Sequence, residues 1–338
     1  MNGSSRPVVS VVIVTYNSDA VVHECLNLLG ADERIEVLVI DNLSSDGTVG
    51  AVRTRHPHVT LIENEENAGF AKAVNKAAAA AAGRHILLLN PDALIDSESV
   101  LALAARLDDD PGLGAISPLV GHEGTDVRVI AAGHAPTIWR MLLHQTGLSR
   151  LGSRVPLLEG HYLFRESFGT SLREVDWVSG GCVMVPQTVW RSAGALTERW
   201  FMYAEDVEFC LRLRSLGWRI AVDPRVTAHH EIGGSSAGVD GRVTTAWIEN
   251  LFDLYSWRMA RWSIQVALWK GTVLLGFGAR RLFLGARALL PGAIGERSRA
   301  GAHRFRVYAR GLQSARPSRV REPFTRSSNE RRLAGGAR

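Results

Sequence analysis

Val8-Val-Ser-Val-Val-Ile-Val-Thr-Tyr-Asn17 decides the fold: six β-branched apolar residues surround one serine, then the run stops abruptly at Thr15, Tyr16 and Asn17. A spanning helix needs about 20 apolar residues, so this run is far too short to cross a membrane. It is also too continuous for a half-exposed strand, and predicts a strand covered on both faces. The amphipathic segment Ala20–Leu29 follows, and the pattern then repeats. Ile35–Ile40 reads as a second strand ending at Asp41-Asn42 and the turn cluster Leu43-Ser-Ser-Asp-Gly47. A helix is predicted over Thr48–Arg55, a strand over Val59–Ile62, an Ala-rich helix over Gly69–Ala82 and a strand over His85–Leu89. Strands alternating with helices predict an α/β fold, a mostly parallel, Rossmann-like sheet flanked by helices. Ligands of such sheets collect beyond the carboxyl ends of the strands. Thr15-Tyr16-Asn17, Asp41-Asn42 and Asn90-Pro91-Asp92 all fall at those ends.

Farther along, Gly121–Glu174 is rich in Gly, His and Arg and reads as loops more than as a domain. Val175–Val185 is an apolar strand broken by Gly180-Gly181, and a helix over Ala204–Leu216 carries Glu205-Asp206 in its first turn. After Asp240 the composition turns to Trp, Leu and Arg, as in Trp257-Arg-Met-Ala-Arg-Trp262 and Arg280-Arg-Leu-Phe-Leu284. The longest uncharged run there, Gly271–Ala279, falls well short of a spanning helix. Rings interleaved with cations predict helices lying on an anionic membrane surface. The alternative is a pair of helices packed on the sheet with Arg facing water. From 315 onward Pro, Ser, Gly and Arg predict disorder. The chain thus divides into an α/β domain over 1–240, a helical membrane-associating appendage over 241–312, and a disordered basic tail over 313–338.

Charge supports the division. The 338 residues hold 39 Lys+Arg and 34 Asp+Glu, but residues 256–338 hold 18 and 3, leaving 21 and 31 for the rest. An acidic body with a basic tail calls for an anionic partner. Nucleic acid is the poorer candidate, because the aromatics of the tail cluster with Leu and Val and no base-reading motif is present. Cys25, Cys182 and Cys210 are widely spaced and share no ligand-type spacing with His, so neither a disulfide frame nor a zinc site is expected. The start of the chain is short and polar and reads into a strand, not a signal peptide.

Several residues offer chemistry. Asp92, one Pro beyond a strand end, is a metal-ligand candidate, a turn residue or a helix cap. Asp41 is a hydrogen-bond acceptor for a pyrimidine N3–H or a helix cap, although Asp46 already suits the second task. Thr15 and Asn17 are nucleoside contacts or the cap of the helix near Ala20. Asp206 is a general base or an acid placed to favour the helix dipole. Gly180-Gly181 permits close backbone approach to a ligand or forms a bulge. His229-His230 precedes Gly233-Gly-Ser-Ser236 and could meet a metal or diphosphate.

The series Val11-Val-Ile-Val-Thr-Tyr-Asn17, Val39-Ile-Asp-Asn42 with Ser44-Ser-Asp-Gly-Thr48, Asn67-Ala-Gly-Phe70, Leu89-Asn-Pro-Asp92, Trp177-Val-Ser-Gly-Gly181, Ala204-Glu-Asp206 and His230-Glu-Ile-Gly-Gly-Ser235 resembles family 2 glycosyltransferases of the GT-A fold, in particular their bacterial rhamnosyltransferase-like branch. The match runs over about residues 8–236. The resemblance implies an inverting transferase that moves a sugar, rhamnose by likeness to that branch, from a dTDP- or UDP-sugar to a polyprenyl-linked glycan in cell-wall or polysaccharide assembly. It implies that Thr15, Tyr16, Asn17, Asp41 and Asn42 line the nucleoside pocket, with Asn67, Gly69, Phe70 and Lys72 along its side. Asp92 would be the ligand of Mg2+ or Mn2+, with Asn90 a weaker contributor where the family has an acid. Trp177, Gly180, Gly181 and Glu205 would border sugar and acceptor, Asp206 would be the base, and His230 would approach the metal or diphosphate. The adjacent His229 leaves that last assignment open by one residue. The implied location is peripheral, on the cytoplasmic face of the membrane. A nucleotide-sugar-binding protein without turnover is the other class, which the presence of Asp206 disfavours.

Overall fold

The computed structural model describes residues 6–121, 129–230 and 243–324. Two compact units share them: one comprises 6–133 and 168–230, the other 134–167 and 243–324.

Most strands of the first unit belong to one sheet. Its leading strands are β1 (Val9–Thr15), β2 (Ile35–Asp41), β3 (Thr60–Glu63) and β4 (His85–Leu89), interleaved with α1 (Val22–Leu29), α2 (Thr48–Arg55) and α3 (Phe70–Ala80). Every strand and helix expected before residue 90 is present within two residues of its expected ends. Next come β5 (Ala93–Leu94), α4 (Ser97–Asp109), β6 (Leu113–Gly121) and β7 (Val129–Gly133). After the excursion into the second unit follow β9 (Arg173–Val175), β10 (Trp177–Val178), β11 (Cys182–Pro186), α6 (Gln187–Ala193), α7 (Glu205–Ser215) and β12 (Arg219–His230). The strand order is β3-β2-β1-β4-β11-β6-β12-β5, with β9 also on β12. Pairings among β1 to β4, and of β6 with β12, are parallel; β11 runs antiparallel between β4 and β6.

Burial explains the composition. Val9, Val11, Val12 and Ile13 are all buried, as a strand with both faces covered requires. In α1, Val22, Cys25, Leu26 and Leu29 recur at i, i+3, i+4 and i+7 and form the buried stripe. Leu103 and Leu107 of α4 join the same core. Cys25, Cys182 and Cys210 are buried free thiols.

Register decides where the site forms. Thr15 lies opposite Asp41, and Ile13 opposite Leu89, so the carboxyl ends of β1, β2 and β4 share one rim. The antiparallel β11 starts at that rim, because Cys182 pairs with Leu89. Gly180 and Gly181 are therefore delivered beside Asn90. The end of β12 arrives there too: His229 pairs with Leu94 and His230 with Ala93, the residue after Asp92.

The second unit holds α5 (Ile138–Thr146), the short strand β8 (Tyr162–Phe164), α8 (Ala246–Leu254), α9 (Ser263–Arg287) and α10 (Gly292–Ser314). Residues 134–167, which read as loops in the sequence, contain a nine-residue helix that Thr137 caps by accepting from the Arg140 N–H. This segment packs with the C-terminal helices: Trp269 Nε1 donates to the Pro136 carbonyl at 2.7 Å, and Arg280 Nη2 to the His144 carbonyl at 2.5 Å. The core is aromatic, with Trp269 between Phe252 and Tyr255, and Phe277 against Phe305 and Tyr308. The expectation of disorder from 313 onward needs correction where the residues are described. Glu322 N–H donates to the Trp257 carbonyl at 2.8 Å, and Arg258 lies 4.1 Å over the Phe324 ring. Backbone hydrogen bonds and an aromatic anchor hold a segment whose composition alone reads as unstructured.

Candidate active site

The end of the rim formed by β1 and β2 is a hydrogen-bonded lattice. Thr15 Oγ1 donates to Asp41 Oδ1 at 2.8 Å, Ser44 N–H to Asp41 Oδ2 at 2.7 Å, and Ser44 Oγ to Asp41 Oδ1 at 2.5 Å. Three donors fix the carboxylate and leave one acceptor position on Oδ2, enough for a single further N–H. Asn17 clasps the same turn: its N–H donates to Ser44 Oγ, and its Oδ1 accepts from Ser45 N–H, each at 2.8 Å. Both loop residues that make this clasp possible have left-handed backbones, Asn17 at φ 51° and Leu43 at φ 63°. Such strain in non-glycine residues persists where surrounding bonds hold it. Tyr16 is exposed beside them.

Behind the lattice, Asn42 Nδ2 donates to the Gly69 carbonyl at 3.2 Å, and Asn64 Nδ2 donates to Asn42 Oδ1 at 2.8 Å. Lys76 Nζ completes the chain on Asn64 Oδ1 at 2.6 Å. Thr15 and Asn42 are buried, and their side chains reach Asp41 and the Gly69 carbonyl and not solvent. Asn67 Oδ1 accepts from Gly69 N–H at 3.3 Å, and Lys72 is exposed on α3. Asn64 and Lys76 were not singled out by the sequence, and Ser44 appeared there only as part of a motif; Asn64 follows a strand end directly, the one signal for it.

Gly69 couples this lattice to the opposite wall. Its φ is +82°, and a Cβ there would lie 2.4 Å from the Phe201 carbonyl oxygen, which accepts from Phe70 N–H at 2.8 Å. From Phe201 the chain runs into Tyr203 at φ 74° and Ala204 at φ 78°, then into α7. Two consecutive left-handed non-glycine residues turn the helix so that Glu205 and Asp206 enter the site from its first turn.

Asp206 and the Gly180-Gly181 turn meet there. Gly180 N–H donates to Asp206 Oδ2 at 2.9 Å, and Val207 N–H to Oδ1 at 2.7 Å. A Cβ on Gly180 would lie 3.3 Å from Phe70 and 3.5 Å from the Asp206 Cβ; one on Gly181 would lie 3.2 Å from Asn90 Nδ2. Gly181 also accepts from Asn90 N–H at 2.9 Å. The two glycines thus join the Asn90-Pro91-Asp92 turn on one side to Asp206 on the other. Asp92 is 2% exposed at the end of β4, and the helix cap it might have supplied is supplied by Asp96, whose Oδ1 accepts from Ser99 N–H at 2.8 Å. Trp177 is buried in β10.

Electrostatics distinguish the acids. Burial raises the Asp206 carboxyl above the ordinary aspartate range, and hydrogen bonds from Gly180 and Val207 only partly offset it. Burial, then the neighbouring Asp206 charge, pushes Glu205 up to about 8. Glu205 is 4% exposed, and its Oε2 has no hydrogen-bond partner among the described residues. Glu208, third of the acids in this stretch, turns away to pair with Arg212 at 2.9 Å.

Among the described residues no group of three or more His, Cys, Asp or Glu is arranged to hold a metal. A buried carboxylate at a strand end nevertheless suits a hard cation that draws its other ligands from phosphate oxygens and water, as Mg2+ prefers. The backbone of His230 reaches this corner; its side chain and residues 231–242, with the Gly-Ser loop, lie outside the described residues.

The comparisons concern family and fold. A profile described as "Glycosyl transferase family 2" matches residues 10–168. The chain is 32% identical over 238 residues to an N-acetylglucosaminyl-diphospho-decaprenol L-rhamnosyltransferase of Mycobacterium tuberculosis, covering 66% of this chain and 76% of that protein. Among solved structures, it is similar to a mannosyltransferase from Pyrobaculum calidifontis in complex with GDP-Man and Mn2+, with a TM-score of 0.54, 19% identity, and 91% and 84% of the two chains covered. It is also similar to GalNAc-T7 with UDP, GalNAc and Mn2+, with a TM-score of 0.53, 14% identity, and 92% and 57% covered. At such identities these two likenesses show the fold.

Proposed function

The chain belongs to glycosyl transferase family 2, and from that premise we propose that it is a metal-dependent inverting transferase carrying rhamnose from dTDP-rhamnose, or a hexose from a related dTDP- or UDP-sugar, to a polyprenyl-linked glycan. The observation that carries the reading is the Gly180-Gly181 turn, hydrogen-bonded to Asp206 at one end and to Asn90, two residues from Asp92, at the other. A diphosphate near Asp92 and an acceptor hydroxyl near Asp206 would then approach the same anomeric carbon.

The chain's residues divide the work. Asp41 offers its remaining acceptor position to the pyrimidine N3–H while Thr15 and Ser44 keep it oriented. Asp92 would hold Mg2+ or Mn2+, which offsets the charge of the diphosphate leaving group. Asp206 takes the proton of the acceptor hydroxyl as its oxygen bonds to the anomeric carbon from the face opposite the diphosphate. The bond to the diphosphate breaks, the nucleoside diphosphate departs with that electron pair, and the configuration inverts. A raised basicity suits the task, since a base is most effective when its pKa approaches the working pH. Gly180 N–H, by holding Oδ2, aims the carboxylate.

Support for this acceptor and location comes from the rhamnosyltransferase relative, whose name specifies a decaprenol-linked substrate, and from the basic C-terminal helices. We place the enzyme at the cytoplasmic face of the membrane as a peripheral protein, with residues 1–240 as the catalytic part and the C-terminal helices as the lipid-associating part. Among the described residues no helix is long and apolar enough to cross a membrane.

The test is a panel of dTDP- and UDP-sugars assayed for hydrolysis with and without Mn2+. Cleavage of one donor that requires the metal and disappears in Asp206→Asn supports the reading; metal-dependent donor binding with no turnover on any acceptor would favour the binding-protein alternative.

A further inference from the structure

Helix α9 has two apolar faces, and the unit it belongs to covers one. Val266, Trp269, Val273, Gly276 and Phe277 are buried against the rest of that unit. On the opposite side Ile264, Leu268, Leu275 and Leu282 are 62%, 53%, 77% and 76% exposed. At about 3.6 residues per turn, these four fall within roughly 40° of one line along the helix, together with Gly271 and Gly278. A Cβ placed at Gly271, Gly278 or Gly285 would meet nothing within 4 Å among the described residues, which leave this face open. Scattered exposed leucines need no explanation, but a continuous apolar stripe five turns long does.

The charges define what the stripe fits. Residues 263–287 hold Lys270, Arg280, Arg281 and Arg287 and no Asp or Glu. Lys270 is committed to the carbonyls of Gln313 and Ala315, and Arg280 to that of His144, so both tether α9 to its own unit. Arg281 and Arg287 are exposed, and helical spacing puts them at opposite margins of the apolar half-cylinder. The whole second unit, over its described residues, holds 18 Lys+Arg against 6 Asp+Glu. A second copy of this chain laid on the stripe would oppose cation to cation. An anionic lipid surface supplies both an apolar layer and the counter-charge.

We propose that α9 lies in the plane of an anionic bilayer, with Ile264, Leu268, Leu275 and Leu282 in the acyl boundary and Arg281 and Arg287 on phosphate headgroups. This assigns to one helix face the membrane contact on which the reading of a lipid-linked acceptor rests.

The experiment uses the full chain and vesicles of phosphatidylglycerol and phosphatidylcholine, or of phosphatidylcholine alone, in co-sedimentation at about 0.15 M salt. The wild type binds the anionic vesicles, and L275E/L282E binds at least roughly tenfold more weakly. Both positions are exposed, and an unchanged thermal melt shows that the fold is kept. R281E/R287E loses preference for the anionic lipid. Equal binding by the L275E/L282E variant overturns the proposal. So does a wild-type dimer in light scattering that L275E/L282E converts to monomer, since the stripe would then cover a second copy. Mn2+-dependent hydrolysis of dTDP-rhamnose without vesicles separates the two readings. A wild type that binds vesicles yet hydrolyses no nucleotide-sugar supports this surface and counts against the transferase chemistry; intact hydrolysis with no vesicle binding does the reverse.

Discussion

The backbone N–H of Gly180 donates to Oδ2 of Asp206 at 2.9 Å, across 26 positions of sequence. One main-chain group thereby orients the carboxylate proposed to take the acceptor proton, where a Cβ at 180 would press on the Phe70 ring at 3.3 Å. Asp206→Asn keeps an oxygen to accept that bond but removes the base. Turnover falls by roughly 10²-fold or more while donor affinity stays within a few-fold, measured by steady-state kinetics and calorimetry. The acid limb of the wild-type kcat profile lies above the ordinary aspartate value of 3.8, because burial raises this group.

Glu205 sets a second pH dependence, in stability. Its carboxyl ionises near 4.5 when exposed and at about 8 in the folded chain. Between those values the folded state retains a proton the unfolded state has lost, so the contribution is complete at low pH and is lost as pH rises through the folded value. The melting temperature of the wild type therefore declines from about pH 5 to about pH 8.5 more steeply than that of Glu205→Gln. Parallel declines would show that Glu205 ionises normally.

Asp41 is a donor-affinity residue. Asp41→Asn turns one of its two acceptor oxygens into an N–H2 group facing Thr15 and Ser44. A buried donor left without an acceptor costs about 1–3 kcal/mol. Titration with UDP or dTDP is expected to show binding weakened by roughly tenfold or more, about 1.4 kcal/mol. Unchanged affinity would remove Asp41 from the nucleoside pocket.

Gly69→Ala tests the link between the two walls. A left-handed alanine costs roughly 1–2 kcal/mol, and its Cβ would also strike the Phe201 carbonyl. The melting temperature drops, and kcat falls with it, because Phe201 leads through Tyr203 and Ala204 to Asp206. A drop in stability with kcat intact would uncouple the Phe201–Ala204 turn from catalysis.

Chelation and Asp92→Ala test the metal. EDTA abolishes donor cleavage by the wild type, and added Mn2+ restores it. Asp92→Ala needs at least roughly tenfold more Mn2+ for half-activation, read from the metal titration. An identical titration curve would assign the ion elsewhere.

Local sequence determined the alternation of strands and helices up to residue 90. Runs such as Val8–Val14 and the spacing of Val22, Cys25, Leu26 and Leu29 encode period and burial within a few residues of chain, and the ordered motifs pointed to Asp41, Asp92, Gly180 and Asp206 as a set. Tertiary structure alone decided three things. It set the antiparallel course of β11, which carries Gly180-Gly181 to Asn90; it set the left-handed pair Tyr203-Ala204, which aims α7; and it grouped residues 134–167 with the C-terminal helices. It also decided which apolar face of α9 is buried, since large apolar residues lie on both sides and the packing partner selects one. Each depends on contacts between residues distant in the chain, whose energies no local pattern records.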